Sequence, residues 1–185
     1  MKNDPVQPET SAHPFLAAYI RFADNLSIAF GKLMAVFVVF LVLLIVYIVV
    51  LRYLFNSPTT WGMEFQTFIY GAMCVLSMPY ATYKACHPRV TVFLDTCPPR
   101  VRFYLEILYI FIFYLPFLVV LLWFESIVAY ESWAIQETSV LSAWGPLLWP
   151  IKATIPLGAA LVLIQVFSEL AKLIIQNQGG NHHEL

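Results

Sequence analysis

Residues 33–51 read LMAVFVVFLVLLIVYIVVL, nineteen positions without a charge, closed by Lys32 on one side and Arg52 on the other. A helix rising ~1.5 Å per residue needs about 20 apolar residues to cross ~30 Å of hydrocarbon, so this stretch has the length of one crossing. Its Val and Ile content would suit a strand in water. No buried strand runs to this length, and a lone strand in lipid leaves its N–H and C=O groups without partners, whereas a helix satisfies them internally. The stretch therefore reads as a membrane-spanning helix over about 33–54.

The composition agrees with a lipid solvent. Of 185 residues, 61% are hydrophobic and 11% charged, against roughly 25% charged in a soluble domain. Aromatics reach 16%, which suits the interfacial belts of a membrane protein. The formal net charge is −1, so no basic balance points to nucleic acid. Three cysteines, Cys74, Cys86 and Cys97, argue against a closed disulfide framework. Cys86, His87 and Cys97 fit no zinc spacing and lack a fourth ligand. Residues 1–14 are polar, with Asp4 and Glu9, and lack the basic-then-apolar order of a cleaved leader. They read as a disordered tail, and the first span is expected to be retained.

Just before that span, Phe15, Tyr19, Phe22 and Leu26 recur at helical spacing, with Arg21, Asp24, Asn25 and Ser27 between them. This pattern predicts an amphipathic helix in the headgroup region, or an early extension of the first span. After it, FNSPTTWG at 55–62 is a tight turn in which Pro58 stops one helix and Thr59 or Thr60 caps the next. A second span is expected over about 63–84, with Gly71, Ala72 and Ser77 as small-residue surface. The connection KACHPRVTVFLDTCPPRVR at 84–102 holds four of the ten Lys and Arg residues. A third span follows over about 103–128 and a fourth over about 147–172, with a flexible tail at 177–185. The segment Glu125–Trp149 between them carries Glu125, Glu131, Glu137, Trp133, Trp144 and Trp149, and its middle is expected to lie in the interface as a second interfacial helix. Lys152 interrupts the fourth span and has to snorkel to the outer headgroups.

Orientation follows from Lys and Arg. Lys2, Arg21, Lys32, Lys84, Arg89, Arg100, Arg102 and Lys172 fall on one side, and only Arg52 and Lys152 on the other. Eight against two predicts an all-α membrane protein of four transmembrane helices within 15–176, with both termini and the middle loop in the cytoplasm.

The spans are poor in chemistry. Histidines occur only at 13, 87, 182 and 183, outside every span, so haem ligation within the bundle is not expected. No phosphate loop, nucleophile with its base or HExxH helix is present. No catalytic, cofactor-binding or metal residue is assigned, and an enzyme is not expected. Gln165 and Tyr47 are candidates for helix-to-helix hydrogen bonds only. Arg52 and Glu64 flank the outward turn and are candidates to pair across it; Glu137 and Lys152 are candidates for an outer ion pair or a partner contact. These features describe an accessory or scaffold subunit with a larger partner.

Several local patterns carry a family resemblance. Arg52-Tyr53-Leu54-Phe55 ends the first span, and Trp61-Gly62-Met63-Glu64 follows the outward turn. His87-Pro88-Arg89-Val90-Thr91 follows the second span, with Thr91 where the family usually has Asp. Glu137-Thr138-Ser139 precedes the fourth span, which opens with Trp149-Pro150-Ile151-Lys152 and Ile155-Pro156-Leu157. In order and spacing, over about residues 20–175, the chain resembles the small membrane subunit (DctQ-type) of tripartite ATP-independent periplasmic (TRAP) transporters. The resemblance implies a bacterial inner-membrane protein in a three-part uptake system. A periplasmic solute-binding protein delivers a solute, usually an organic acid. A large multi-span permease subunit carries it on an ion gradient, and the small subunit braces the permease in the lipid bilayer. On that footing Arg52, Trp61, Glu64, Glu137 and Lys152 are candidate docking or outer-face partner contacts, and His87 and Arg89 candidate inner-face contacts with the permease or headgroups. The alternative is a four-span structural or assembly subunit of another membrane complex; a permease and a secreted solute-binding protein encoded alongside would favour transport.

Overall fold

The computed structural model describes residues 14–84, 101, 105 and 107–180. These form four helices, α1 (Pro14–Tyr53), α2 (Gly62–Tyr83), α3 (Ile107–Ala134) and α4 (Trp149–Gly180). The described residues contain no strand, only an isolated antiparallel bridge between Thr138 and Leu147. His87 and Arg89 lie outside the described residues, as do Cys86, Cys97, residues 1–13 and residues 181–185, while 177–180 of the expected flexible tail continue α4.

Three helices are long and apolar enough to cross a membrane: Phe15–Tyr53, Ile107–Ala134 and Trp149–Ile175, with mean hydropathies of 3.4, 2.6 and 1.8 over their best windows. The fourth helix of the chain is thus among them in spite of Lys152. It is α2 that falls short, because Gln66, Thr67, Tyr70, Ser77 and Tyr80 dilute its apolar residues. One spacing nevertheless recurs. Lys32 and Arg52, Glu64 and Lys84, and Lys152 and Lys172 are each twenty residues apart. On a helix that is ~30 Å, the thickness of the hydrocarbon core.

Of the two expectations for the segment before the first span, α1 takes the early extension and not the separate interfacial helix. Residues 15–31 continue into the apolar stretch as one unbroken helix of 40 residues. The cause is packing. Ala17, Ile20, Ala23 and Ser27, which a headgroup helix would leave outside the protein, are buried, and α1 packs on both α2 and α4. α1 stops at Tyr53, ahead of Pro58; Asn56 adopts a left-handed conformation (φ 50°) and the Ser57 N–H reaches back to the Leu51 carbonyl at 3.1 Å. Neither Thr59 nor Thr60 caps α2: Trp61 occupies the N-cap without a side-chain hydrogen bond.

α4 is the hub. It packs on α1, α2 and α3, while α1 also pairs with α2, and α3 packs chiefly on α4. Half of the apolar window of α4 is buried, against 6% for α3. Lipid supplies little hydrophobic drive between helices, so close backbone approach at small residues has to hold them. Two glycines permit it. A Cβ on Gly158 of α4 would overlap Val75 of α2, and one on Gly31 of α1 would overlap the Tyr80 ring of α2. Gly71, expected to serve this way, would meet only Ile151 at 3.8 Å, an ordinary contact. On the other flank Leu118 of α3 forms a buried cluster with Val162, Val166 and Leu170 of α4.

α3 opens with a π-helical turn at Ile110–Tyr114, in which the Leu115 N–H bonds the Ile110 carbonyl. Pro116 explains it: the residue has no N–H to give and its ring crowds the carbonyl four residues back, so the preceding turn widens. At its other end, α3 closes with Gln136 at φ 50°, the Gln136 N–H on the Trp133 carbonyl (3.2 Å) and the Glu137 N–H on the Ser132 carbonyl (3.0 Å). This is a Schellman cap. With Gly145 also at positive φ and Pro146 next to it, the connection to α4 is a folded loop and not the expected interfacial helix.

Candidate functional site: polar clasps at the two ends of the bundle

The end of the bundle expected to face outward (the outer end) is built around the α3–α4 loop. The Thr138–Leu147 bridge is framed by Ser139 N–H to the Pro146 carbonyl and Leu148 N–H to the Glu137 carbonyl, both 2.9 Å. This folds Ser139 and Ser142 over the start of α2. Their hydroxyls donate to Glu64, Ser139 Oγ to Oε1 at 2.5 Å and Ser142 Oγ to Oε2 at 2.9 Å. Each hydroxyl in turn accepts a loop N–H, from Leu141 and Trp144 respectively, both at 3.2 Å. Glu64 is therefore buried (6% exposed) and hydrogen-bonded at both oxygens. Its place in the first turn of α2 also sets its charge at the positive end of the helix dipole.

Aromatic contacts close the same end. Trp61 meets Phe65 edge-on at 6.0 Å between centroids, and Phe65 meets Trp144 edge-on at 6.2 Å. At the start of α4, Lys152 Nζ pairs with Glu137 Oε2, with both side chains about one-third exposed. The Lys152 ammonium beside Glu137 holds its carboxyl below the ordinary glutamate value.

Four of the five outer residues singled out in the sequence are thus gathered at one end: Trp61, Glu64, Glu137 and Lys152. Arg52 is exposed at the end of α1, and among the described residues it makes no ion pair with Glu64. Glu64 is buried beneath the loop that carries Ser139 and Ser142, whereas Arg52 lies exposed. Buried Glu64 shapes the outer face and does not present itself on it.

A second clasp lies at the opposite end, the one expected to face inward (the inner end), where the sequence offered only Gln165 as an interhelical hydrogen-bond candidate. Lys172 Nζ of α4 stands 2.8 Å from Asp24 Oδ1 of α1 and 2.9 Å from Glu169 Oε1. Gln165 is fully buried; it accepts from Ser27 Oγ at 2.7 Å and donates to Asp24 Oδ1 at 3.0 Å and Glu169 Oε1 at 3.1 Å. Ser168 Oγ adds a longer bond to Asp24 Oδ1, at 3.3 Å. The Tyr19 hydroxyl donates to the Ile164 carbonyl at 2.9 Å. Lys172 also lies over the Tyr83 ring of α2, at 5.3 Å. Three helices meet here.

Gln165 makes the interhelical bond expected of it, whereas Tyr47 is exposed on α1 and makes none among the described residues. The missed residues did leave a signal: Ser168, Glu169 and Lys172 fall at helical spacing on one face with Gln165, as do Asp24 and Ser27 with each other. Among the described residues no group of three or more His, Cys, Asp and Glu side chains is placed to hold a metal. The arrangement offers hydrogen bonding and rigid positioning.

A family model described as "Tripartite ATP-independent periplasmic transporters, DctQ component" matches residues 41–176. Among curated proteins nothing matches the chain. The matched region begins within α1 and takes in the outer clasp and the α4 half of the inner one, while Asp24 and Ser27 precede it. It covers well over half of the chain, and the chain belongs to the DctQ-component family of the tripartite ATP-independent periplasmic transporters.

Proposed function

We propose that the chain is a four-span, N-in/C-in subunit that braces the large permease subunit in a bacterial inner membrane. In this reading the complex takes up a solute of the organic-acid class on an ion gradient, after delivery by a periplasmic binding protein. The observation that carries the bracing role is the hub helix α4, tied to α1, α2 and α3 by direct packing and locked by a polar clasp near each end. A helix bundle pinned at both membrane faces has little freedom to rock, which suits a static partner beside a moving transport domain. The ~30 Å between Glu64 and Lys84 supports α2 as the fourth crossing.

On this proposal the outer face, with Arg52 and Trp61 near its surface and Glu64, Glu137 and Lys152 holding it in shape, is where the binding protein docks. His87 and Arg89 contact the permease or anionic headgroups on the inner side. The test is to tag this chain, co-express it with a permease encoded beside it, and measure co-purification in mild detergent together with solute uptake in cells lacking the chain. Recovery of the permease and loss of uptake are expected. A chain that purifies alone and is dispensable for uptake overturns the proposal.

A further inference from the structure

Among the described residues, the hydrogen bonds between α1 and α4 all involve residues 19–27 of α1 and 164–172 of α4. Beyond them the two helices stand on either side of a cavity of about 320 Å³, with α2 against it. Met34 and Phe37 line it from α1, Ile151 and Thr154 from α4, and α2 supplies a stripe that includes Ala72 and Met73. Phe37 and Pro150 at its edge are exposed, so the space opens towards the bilayer. Packed protein interiors leave few voids larger than a water molecule. A space of this size calls for an occupant.

The lining fixes the chemistry of that occupant. Thr154 is its one polar side chain among the described residues, and the Thr154 hydroxyl donates to the Ile151 carbonyl at 2.7 Å. No charged side chain lines the space. An organic acid, a sugar or a lipid headgroup would bury its polar groups there without partners. Apolar cavities stay dry and accept apolar guests. Met34 and Met73 are flexible enough to shape themselves to such a guest, and Ala72 leaves it room.

A helix of another subunit is a poor candidate. Where the helices of this chain meet, glycine lets backbones close up, at Gly31 and Gly158, or buried polar groups bond, at Gln165. Bulky apolar side chains give a partner helix no advantage over lipid tails, which are equally apolar. The cavity walls are of that kind. Residue 74 is midway between Glu64 and Lys84, so Ala72 and Met73 lie at mid-crossing on α2, where acyl chains are the solvent.

We propose that this cavity is a binding site for one acyl chain of a membrane lipid, held between α1, α2 and α4 as part of the bundle. The inference rests on the reading of α2 as the fourth crossing, which places the cavity in the hydrocarbon.

The experiment is NMR of the full chain, with isotope-labelled methionine methyl groups, in phosphatidylcholine nanodiscs. Nuclear Overhauser contacts to acyl-chain protons arise only from groups that nearly touch the lipid. Met78 is 51% exposed and Met34 only 7%. Met78 is expected to show the contact as any lipid-facing side chain does. Met34, which the protein itself covers, and Met73 are expected to show it because the acyl chain lies in the cavity. Acyl-deuterated phosphatidylcholine should abolish all three contacts. Ala72→Trp, which fills the cavity, should abolish those of Met34 and Met73 and keep that of Met78. Silence of Met34 beside a clear Met78 contact overturns the inference, and the wild-type chain alone decides this if the tryptophan variant does not fold. Replacement of the Met34 lipid contact by one to the large subunit, in the complex, overturns it too. Silence of Met78 as well overturns the crossing of α2 beneath it, and with it the place of the cavity in the hydrocarbon.

Discussion

Lys152 and Lys172 stand twenty residues apart on α4, and each closes a clasp on a different helix: Lys152 on Glu137 just beyond α3, Lys172 on Asp24 of α1. The two ends are not equivalent. Lys152 and Glu137 remain about one-third exposed, whereas Lys172 and its carboxylates are about one-fifth exposed and adjoin fully buried Gln165. Exposed pairs contribute little, and partly buried, hydrogen-bonded ones contribute more when broken. The inner clasp should therefore dominate the stability of the bundle.

Lys172→Met leaves Asp24 and Glu169 sharing a site without their cation. A loss of about 2–3 kcal/mol is expected, below the range for fully buried pairs. Thermal unfolding in detergent checks it, and a cycle with Asp24→Asn should show strong coupling. Additive effects of the two substitutions would place the stabilisation elsewhere.

Gln165→Leu conserves the volume of the hub but strands the Ser27 hydroxyl and removes a donor from Asp24 and Glu169. About 1–3 kcal/mol is expected for leaving such groups unsatisfied. Adding Ser27→Ala should recover part of that loss in the same unfolding measurement.

At the outer end, Glu64→Ala removes the acceptor that holds both loop serines. The loop at 139–144 should open, with faster amide exchange at Leu141 and Trp144, whose N–H groups bond those serines. Glu64→Gln keeps one acceptor oxygen and should give an intermediate rate.

The Glu137–Lys152 pair carries a signed pH dependence. The Glu137 pKa is lowered in the folded protein, first by the Lys152 ammonium. Its contribution is therefore complete above the ordinary value of 4.5 and is lost as pH falls through the lowered one. Amide exchange at Leu148, after correction for intrinsic rates, should be independent of pH from neutral down to about 4.5, and protection should fall from there until the pH has passed the lowered value. Glu137→Gln should abolish that acid-side change.

Two backbone positions give opposite signs. Gln136→Gly relieves a left-handed conformation at the α3 cap and is expected to stabilise by up to about 1 kcal/mol. Gly158→Val drives a side chain into Val75 and towards its carbonyl, with a loss of about 1–3 kcal/mol for overpacking. Unfolding temperatures of the two variants should move in opposite directions.

The residues that could be read in advance were those whose signal is local. The charge-free run between Lys32 and Arg52 announces a span because length alone decides it. Glu137 and Lys152 were legible as a pair because only fifteen positions and one loop separate two charges at helix ends. The inner clasp was not, since Asp24 and Lys172 are 148 residues apart and each suits a solvated surface by itself. The continuity of α1 was legible only as one of two readings, because the same amphipathic spacing serves a helix on headgroups and one packed on protein. The folded outer loop escaped because Gln136, and not glycine, takes the left-handed cap.

The hub leaves the ribosome after the three helices that it joins. While α1, α2 and α3 are being synthesised, their shared neighbour does not yet exist; only the α1–α2 contact can form on its own terms, through Gly31 and Tyr80. α3 has to wait in the bilayer nearly bare until α4 arrives beside it. Assembly of these four helices thus waits for α4, and a chain halted between Ala134 and Trp149 holds one helical hairpin and one helix without its main neighbour.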